Sequence, residues 1–575
     1  MDYALQTSKS SDDLPVSTTD IYSEAVKIFE LKHNAASEYR KKEIPEKFSA
    51  SHLVESTLDK LSELAAELLL QSKPIFEEIE MKGKFHVEEI EKLKESGLLH
   101  CGPPFRKSLL ETTKYLSFTH LTVQEYLAAR WFVMLNVNPK NVSATVLQFM
   151  AGILSKKKNG ELMEKLLESI SSSSSRHHLL LRAKCLSEYN DKVFAKSVIR
   201  NHPHHYSQKS ELFFTSLNDM DCIAISFLLD VFSALNEEEA TTAQHQTPEQ
   251  SFNVSRFRIC KSSLTLSGLN RLCESLEKEH CPVTQLNISF VPLTDEDVDC
   301  ISGLVRNKFT RLSMRNNDIT DTAVASLCDA LTHTSSKVAT LGLGGNQITD
   351  TGVTTLCGTL THPSCKVATL DLGGNQITDT GVTSLCDALM HPSCKVTALD
   401  LGGNQVTDTG VASLCDALKH PSCKVSTLDL SFTQITDTGL TSLCDALPHL
   451  SCKVTTLYLS DNQITDTGVT TLCNVLTQPR CKVTTLNLRD NQITDTGVAS
   501  LCAALTHPSC KVTTLNLSDN QITHTGVTSL CEAIQRNNCK LVALDLTRNR
   551  SISKESEQSL RNLVKQHGPG FKLKI

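Results

Sequence analysis

Cysteine and histidine are the residue types whose number and spacing in this sequence could do chemistry. The chain of 575 residues holds 22 cysteines and 20 histidines, and the string His-Pro-Ser-Cys recurs at His362, His391, His420 and His507. Such residues can bind zinc or form disulfides. A zinc ion needs about four ligands that converge on one point. The even spacing of these strings along the chain therefore favours a repeated loop that ends a helix over a metal site.

The strings belong to a repeat with a period of 29 residues. A typical unit, residues 366–394, reads KVATLDLGGNQITDTGVTSLCDALMHPSC. Around Leu370 and Leu372 the apolar residues alternate with polar ones, which predicts a short strand whose side chains point to opposite faces. The equivalent lysines that mark the period are Lys337, Lys366, Lys395, Lys424, Lys453, Lys482, Lys511 and Lys540.

The second half of each unit predicts a helix. In residues 366–394 the apolar positions from Val382 to Leu389 follow the spacing i, i+3, i+4, i+7, which forms one stripe of a helix. Asp379 or Thr380 is the predicted N-cap, and Pro392 prevents the helix from continuing.

One strand and one helix per unit, stacked in register, make a curved solenoid with parallel strands on its concave side. The unit resembles the ribonuclease-inhibitor subtype of leucine-rich repeat. This resemblance covers about residues 254–575 and gives about eleven repeats. We predict an α/β horseshoe for this region.

The repeat also explains most of the cysteines. One column of cysteines, which includes Cys386, lies in the helix stripe, and a second column, which includes Cys394, precedes the strand. We expect both columns to be small buried apolar residues. The second column lies near strands about 4.8 Å apart, so strong oxidants could cross-link it, and we expect such oxidants to damage the solenoid as a liability more than a regulated switch.

The near-identical units differ on the concave face, at and just after the position between the two strand leucines. One interpretation is an acidic strip that meets a basic partner, with aromatic anchors beside it. The alternative is a solvated face that varies because nothing packs on it. Thr433 also interrupts a column of asparagines, which indicates a local kink or a contact site. The candidate ligand-binding residues are Asp371, Asp400, Asp429, Phe432, Tyr458 and Arg489.

Residues 1–235 are predicted to be mostly helical, and one stretch has a recognisable signature. LSFTHLTVQEYLAAR, residues 116–130, resembles the F-x-H-x-T-x-Q-E-[FY]-L-A-A motif of the winged-helix domain in NOD-like receptors of the NACHT class. Further stretches agree in order at residues 14–22, 64–76, 149–154 and 185–188. The resemblance covers about residues 14–235. It implies four parts: the end of a NACHT module with a winged-helix-like domain (1–135), a helical domain (136–235), a linker (236–253) and the leucine-rich repeats (254–575).

The resemblance also implies a role for one histidine. In the NOD-like receptor family the residue at the position of His120 contacts the phosphates of bound ADP. That pocket needs a phosphate-binding loop of the form G-x-x-x-x-G-K-[ST], and no such string occurs in this sequence. We therefore expect His120 to be unused here and no cofactor to be bound, with ADP or ATP relevant only beside an upstream NACHT module.

Composition and charge argue against nucleic-acid binding through bulk charge, a membrane span and a signal peptide. The net charge of −7 argues against binding nucleic acid through bulk charge. No apolar run approaches the ~18 residues of a membrane span, and the first residues lack the features of a signal peptide. We predict a cytoplasmic protein without enzymatic activity.

The predicted function is innate-immune sensing or regulation by a NOD-like-receptor-like chain. Its solenoid would bind a protein or microbial ligand, and other NOD-like receptors or signalling adaptors are further candidate partners. Without a nucleotide motor, the chain would be a regulator, a decoy or a truncated receptor. The alternatives are a ribonuclease-inhibitor-like or scaffold binding protein and a GTPase-activating solenoid. The signature at residues 116–130 argues against the GTPase-activating solenoid.

Overall fold

The structure is a computed structural model. It describes residues 18–23, 25–26, 52–102, 105–106, 112–170, 176–207, 210–242, 254–306, 308–566 and 570–575. The chain divides into two compact units. The first comprises residues 1–210, 220–253 and 278–282, and the second comprises residues 211–219, 254–277 and 283–575.

The first unit is mainly helical and contains a small antiparallel sheet of order β1-β5-β2 and the pair β3-β4. Residues 18–23 are also helical. Its elements, with the helix α9 that begins in the second unit, are α1 His52–Leu70, β1 Ile75–Glu77, α2 Glu78–Met81, α3 Val87–Ser96, β2 Leu99–Cys101, β3 Phe105–Arg106, β4 Thr112–Thr113, β5 Tyr115–Phe118, α4 Leu121–Met134, α5 Ala144–Lys157, α6 Gly160–Ser169, α7 Arg176–Tyr189, α8 Lys192–Asn201 and α9 Asp219–Thr242.

The signature stretch forms the centre of this unit's core. Helix α4 packs between α1 and α5, and Leu127, Ala128 and Ala129 are fully buried. The ring of Tyr126 meets that of Phe149 edge to face at 5.4 Å between centroids. Most of the motif's apolar residues therefore pack the interior.

Three of the separate stretches that carry the resemblance meet in space. The Glu188 carboxylate accepts hydrogen bonds from the backbone N–H groups of Thr18 (3.0 Å) and Thr19 (3.2 Å). Thr19 packs against Gly152, where a Cβ atom would overlap its Oγ1 atom. Only glycine allows this approach, so residues 18–19, 152 and 188 form one packed cluster.

The second unit is a solenoid with a parallel sheet of thirteen strands, in the order β6 to β18. The strands are β6 Glu211–Thr215, β7 Arg256–Cys260, β8 Gln285–Ser289, β9 Arg311–Ser313, β10 Thr340–Gly342, β11 Thr369–Asp371, β12 Ala398–Asp400, β13 Thr427–Asp429, β14 Thr456–Tyr458, β15 Thr485–Asn487, β16 Thr514–Asn516, β17 Ala543–Asp545 and β18 Lys572–Lys574.

Helices alternate with these strands, and each helix packs on its neighbours. They are α10 Leu266–Glu277, α11 Asp295–Val305, α12 Asp321–Thr332, α13 Asp350–Leu360, α14 Asp379–Met390, α15 Asp408–Lys419, α16 Asp437–Ala446, α17 Asp466–Leu476, α18 Asp495–Leu505, α19 His524–Ile534 and α20 Lys554–Gln566. This confirms the predicted fold class, a helical N-terminal region followed by a leucine-rich-repeat solenoid.

The sheet begins earlier in the chain than the predicted repeat boundary at residue 254. Strand β6 lies inside the predicted helical domain, and it pairs with β7 through buried Leu212 and Phe214. Helix α9 also runs into the predicted linker 236–253, because its Glu-Glu-Glu-Ala stretch consists of good helix formers. Residues 243–253 lie outside the described part of the chain.

The N-cap of the repeat helices from α11 to α19 is a threonine, which in α14 lies one residue before Asp379 and two before Thr380, the predicted caps. The Thr378 Oγ1 atom accepts a hydrogen bond from the Thr380 N–H (3.2 Å). Thr378 also donates its N–H (2.8 Å) and its hydroxyl (2.6 Å) to the carboxylate of Asp350 in the preceding unit. Neither Asp379 nor Thr380 caps the helix, because Asp379 plays the part of Asp350 for the next repeat.

A column of buried asparagines joins the loops on the strand side. The Asn404 side-chain amide donates to the carbonyls of Leu372 (2.9 Å) and Leu401 (3.0 Å). Its oxygen accepts from the N–H groups of Asn375 and Ile377, both at 3.1 Å. Asn404 therefore satisfies four backbone groups of its own and neighbouring loops.

Thr433 replaces one asparagine of this column without breaking the sheet. Its Oγ1 atom lies 2.8 Å from the Leu430 carbonyl and 2.9 Å from Asn462 Oδ1. The registers of β12 with β13 and of β13 with β14 continue without a shift. The structure therefore shows no kink in the strands here.

The cysteine columns are buried or half-buried, as predicted. Burial raises the pKa of the Cys386 thiol to about 12, and the same cause raises that of Cys394. Both columns are therefore thiols at neutral pH and pack as small apolar side chains. In the part of the chain that the structure describes, no helix is long and apolar enough to cross a bilayer.

Candidate ligand-binding site on the concave face

Three of the predicted site residues lie side by side. The parallel register pairs Asp371 with Asp400 and Asp400 with Asp429, at the ends of β11, β12 and β13. Each carboxylate accepts the N–H of the residue two positions on, at 3.2, 3.0 and 2.9 Å respectively. Only 14% of the Asp371 side chain and 30% of the Asp400 side chain is exposed. The repeat thus builds a row of three partly buried carboxylates.

One arginine that the sequence reading missed neutralises part of this row. The Arg315 Nε atom lies 3.0 Å from Asp371 Oδ2, and its terminal nitrogen lies 3.8 Å from Asp400 Oδ2. Arg315 occupies the loop position that is Gly344 in the next unit. Extending that column one unit towards the N-terminus would have found it.

The surroundings of the row oppose full ionisation of its carboxyl groups. Burial raises the pKa of Asp400 to about 6, and repulsion from Asp429 acts in the same direction. Burial also raises the pKa of Asp371, against the opposing charge of Arg315. A cation placed over the row would favour the ionised form of both carboxyl groups.

The loops beside the row carry no side chain at one position in three successive units; we call this surface the glycine floor. Gly345, Gly374 and Gly403 hold the loop in the left-handed conformation with φ between 66° and 71°. Phe432 and Asp461 occupy the same position in later units with φ of 53° and 56°. The backbone conformation alone therefore does not demand glycine at this position, although at Gly345 a Cβ atom would overlap the Asn316 side chain. A groove of about 510 Å³ lies over them.

The two aromatic candidates belong to this groove. Phe432 is 60% exposed, and Tyr458 lies opposite Asp429 in the register of β13 and β14. Both side chains line the groove, together with Asp400, Asp429 and Arg315. Four of the six predicted residues therefore line the groove, and Asp371 is the register neighbour of one of them, Asp400, and pairs with Arg315.

Arg489, the sixth predicted residue, belongs to a different cluster. Its Nε atom lies 2.8 Å from Asp519 Oδ2, an ion pair that turns it away from the groove. Near it, burial and the neighbouring Asp490 raise the pKa of Asp461 to about 6. The sequence could not reveal this separation, because the ion pair joins two different loop columns.

The nucleotide-contact position of the family lies in the first unit. His120 is the N-cap residue of α4 and is exposed. Its side chain makes no capping hydrogen bond. Across the described ranges, no three histidine, cysteine, aspartate or glutamate side chains are grouped so as to hold a metal ion.

Comparison with known proteins agrees with the repeat architecture. The family model described as Leucine Rich repeat matches eight segments, residues 307–328, 334–357, 364–386, 393–415, 422–444, 450–473, 481–502 and 509–531.

Three curated proteins are similar in sequence. Human NACHT, LRR and PYD domains-containing protein 14 is 26% identical over 273 residues, which is 43% of this chain and 24% of that protein. Mouse NACHT, LRR and PYD domains-containing proteins 9C and 9B are 28% and 35% identical over 200 and 201 residues, each match covering 32% of this chain and 19% of the relative. The chain is therefore similar to part of these NACHT, LRR and PYD domains-containing proteins, and it carries leucine-rich repeats.

The match extends over about a fifth to a quarter of each relative's length. Among solved structures, an internalin from Listeria monocytogenes is 17% identical with a TM-score of 0.30, covering 57% of this chain and 92% of the internalin. That likeness is too low to support any statement on function.

Proposed function

We propose that this chain is a cytoplasmic NOD-like-receptor-type protein that binds a protein ligand, of host or microbial origin, in innate-immune sensing or regulation. The ligand would place a basic segment in the concave groove. The observation that carries the proposal is the groove itself, where a bare glycine floor lies beside a row of three carboxylates and an exposed phenylalanine.

Charge supports a basic ligand. Asp371, Asp400 and Asp429 face one arginine, Arg315, so the row keeps a negative balance. The raised pKa of Asp400 means that its ionised form is poorly solvated. A lysine or arginine of the ligand would supply the missing counter-charge, and such complementarity gives specificity and speeds association.

The aromatic side chains of the groove support a protein ligand. A large exposed apolar side chain such as Phe432 is unusual on a polar loop column, and buried aromatic anchors dominate the energetics of many protein interfaces. Burying it against a partner would contribute about 2 kcal/mol.

The curated relatives support the biological setting. Their names record NACHT and PYD domains beside the leucine-rich repeats. We infer that this chain acts through binding and without catalysis, as a regulator, a decoy or the repeat-bearing part of a receptor. Other NOD-like receptors or signalling adaptors would be its partners, and His120 would matter only beside a NACHT module.

A binding titration with matched variants tests the proposal. The probes are a short fluorescein-labelled peptide rich in lysine and arginine and a counterpart in which glutamate replaces the basic residues. We expect the basic peptide to bind full-length protein and the acidic one to fail. The test variant carries D371N, D400N and D429N, which remove charge but keep the oxygen that accepts the backbone N–H. It should bind at least about tenfold more weakly, a loss of about 1.4 kcal/mol.

The control removes the same charge from the outer face of the same repeats. Asp387, Asp416 and Asp445 are exposed on helices α14, α15 and α16, so D387N, D416N and D445N should leave binding unchanged. F432A should weaken binding without lowering the melting temperature. Equal binding by the two triple variants would favour the solvated-face alternative.

A further inference from the structure

Two cysteines of the early, less regular repeats hydrogen-bond to each other, and one of them lies outside the regular columns. Cys273 lies on α10 and Cys300 on α11, and these two helices pack side by side. Cys273 is only 7% exposed, whereas Cys300 is half-buried. The thiol of Cys273 donates its hydrogen to the sulfur of Cys300, which raises the pKa of Cys273 and lowers that of Cys300.

The helix positions explain why these two sulfurs meet. Cys273 occupies the core stripe, like Cys386 in a regular unit, but Cys300 lies two residues before that stripe. In regular units this earlier position faces the preceding helix. The Oγ atom of Ser384 lies 3.3 Å from Thr354 Oγ1 on α13. Cys300 therefore points from α11 towards α10.

Regular column cysteines lack this arrangement. Cys415 and Cys444 hold the same position on neighbouring helices, so the helix spacing of about 8–10 Å separates them. A disulfide needs Cα atoms within about 7 Å and Cβ atoms that face each other. With an offset of two residues, one sulfur faces forward and the other faces back, and the Cys273 and Cys300 thiols contact each other.

We propose that Cys273 and Cys300 are a redox-modification site that forms a reversible disulfide with hydroperoxides and clamps α10 to α11. The partly exposed Cys300 thiolate attacks one peroxide oxygen, so that the O–O bond breaks and a sulfenic acid and hydroxide form. The Cys273 sulfur then attacks the sulfenic sulfur, and water leaves as the S–S bond forms. Two thiols and one hydrogen peroxide thus give one disulfide and two waters.

The surroundings of the two cysteines suit Cys300 to attack the peroxide and Cys273 to resolve the sulfenic acid. Cys300 is the more accessible sulfur, and as acceptor of the S–H bond it is the easier of the two to ionise. Cys273 is shielded and holds its proton, which suits a resolving thiol. Glu274, Glu277 and Asp297 lie close enough to oppose ionisation. Reaction with peroxide should therefore be slow and selective rather than instantaneous.

Peptide mapping of the full-length protein tests the site. The protein is exposed to graded hydrogen peroxide, its remaining thiols are blocked with N-ethylmaleimide, and it is digested without reduction by trypsin and an acid-specific protease. The second protease separates Cys281 from Cys300, which share one tryptic peptide. We expect a Cys273–Cys300 cross-link at peroxide concentrations that leave Cys415 and Cys444 unmodified. Dithiothreitol should restore both thiols.

Cysteine substitutions test which residues form the cross-link. C273S and C300S should each abolish the cross-link, while C281S should retain it and a C415S/C444S variant should retain it in full. C300A repeats the test if C300S lowers the melting temperature. The proposal is overturned if Cys300 stops at the sulfenic acid in folded wild-type protein, or if the column cysteines cross-link at the same peroxide concentration. Because binding of the basic peptide does not enter this readout, its outcome is independent of the proposed function.

Discussion

Two halves of the concave loop column share one backbone and differ in chemistry. From Gly345 to Gly403 the left-handed position is glycine, and from Asp461 to Asp519 it is aspartate with φ between 51° and 56°. A side chain in this conformation costs about 1–2 kcal/mol, which the second half tolerates three times. The difference teaches that the left-handed conformation does not by itself require glycine, and that the three glycines leave a groove open.

The charges differ in the same way. In the first half the carboxylates come from the strands and border the glycine floor, with Arg315 as their counter-charge. In the second half, Asp461, Asp490 and Asp519 project from the loops themselves, and Arg489 pairs with Asp519. Only the first half combines unmatched charge with open space, and for this reason we place the ligand there.

The largest expected effect comes from breaking what the halves share. N404A and N491A each remove an asparagine whose amide and oxygen satisfy buried backbone groups, Asn404 in the first half and Asn491 in the second. Each should lower the free energy of unfolding by about 3 kcal/mol, because backbone donors and acceptors are left without partners. Urea denaturation followed by circular dichroism measures the loss.

The control for this pair is N404T, which copies Thr433 and keeps one hydrogen bond to the column. It should cost clearly less than N404A. A large difference between N404A and N491A would mean that the halves do not share one frame.

The second prediction tests the buried charge of each half through its pH dependence. In the folded protein the pKa of Asp400 is about 6, above the ordinary value of 3.8, so ionisation opposes folding. The destabilisation is present above about pH 6 and fades as the pH falls towards 3.8. D400N should therefore raise the free energy of unfolding by about 1–2 kcal/mol at pH 7.5 and by little at pH 4. Thermal melts at both pH values measure it.

Asp461 supplies the counterpart in the second half, since its pKa is also raised to about 6. D461N should stabilise with the same sign and the same pH dependence, whereas D416N on an exposed helix surface should do neither. A gain from D400N that persists unchanged at pH 4 would contradict the burial of its charge.

The sequence alone predicted the repeat elements well and their contacts less well. A period of 29 residues forces every unit into the same strand and helix, so the alignment of Asp371, Asp400 and Asp429 could be read from spacing. The cap was assigned to the wrong residue because Thr378 and Asp379 are both good capping types. The true role of Asp379 depends on Thr407, a partner in the next repeat that local patterns cannot reveal.

Regions outside the strict period were harder to predict. Strand β6 has a single alternation of apolar residues among helices, and its partner β7 lies beyond a long helix. The site was predicted as a set of similar positions, so Arg315, in a less regular unit, was missed. Arg489 was included although its position is decided by one carboxylate, that of Asp519, in a neighbouring column.

The third prediction converts one half into the other. G374D places in the first half the residue that the second half uses, and a Cβ atom there lies 3.4 Å from the nearest backbone atoms of Gly345. Stability should fall by about 1 kcal/mol, while the groove loses part of its floor. The basic peptide should bind more weakly despite the added negative charge. Tighter binding would show that charge alone, and not open space, selects the first half.

The smallest expected effect concerns the single arginine of the first half. Half of the Arg315 side chain is exposed, at 48%, so its ion pairs contribute little, and R315Q should change the free energy of unfolding by less than about 0.5 kcal/mol.

R315Q should change the charge balance of the carboxylate row more than it changes the stability of the protein. Because Arg315 lowers the pKa of Asp371 against burial, R315Q should raise that pKa, which carboxyl NMR titration follows. The basic peptide should bind more tightly at low salt, since one competing cation is gone. R489Q, in the second half, removes an arginine of similar exposure and should leave peptide binding unchanged. If R315Q weakens binding instead, the arginine belongs to the ligand contact, and the ligand then carries an acidic group beside its basic ones.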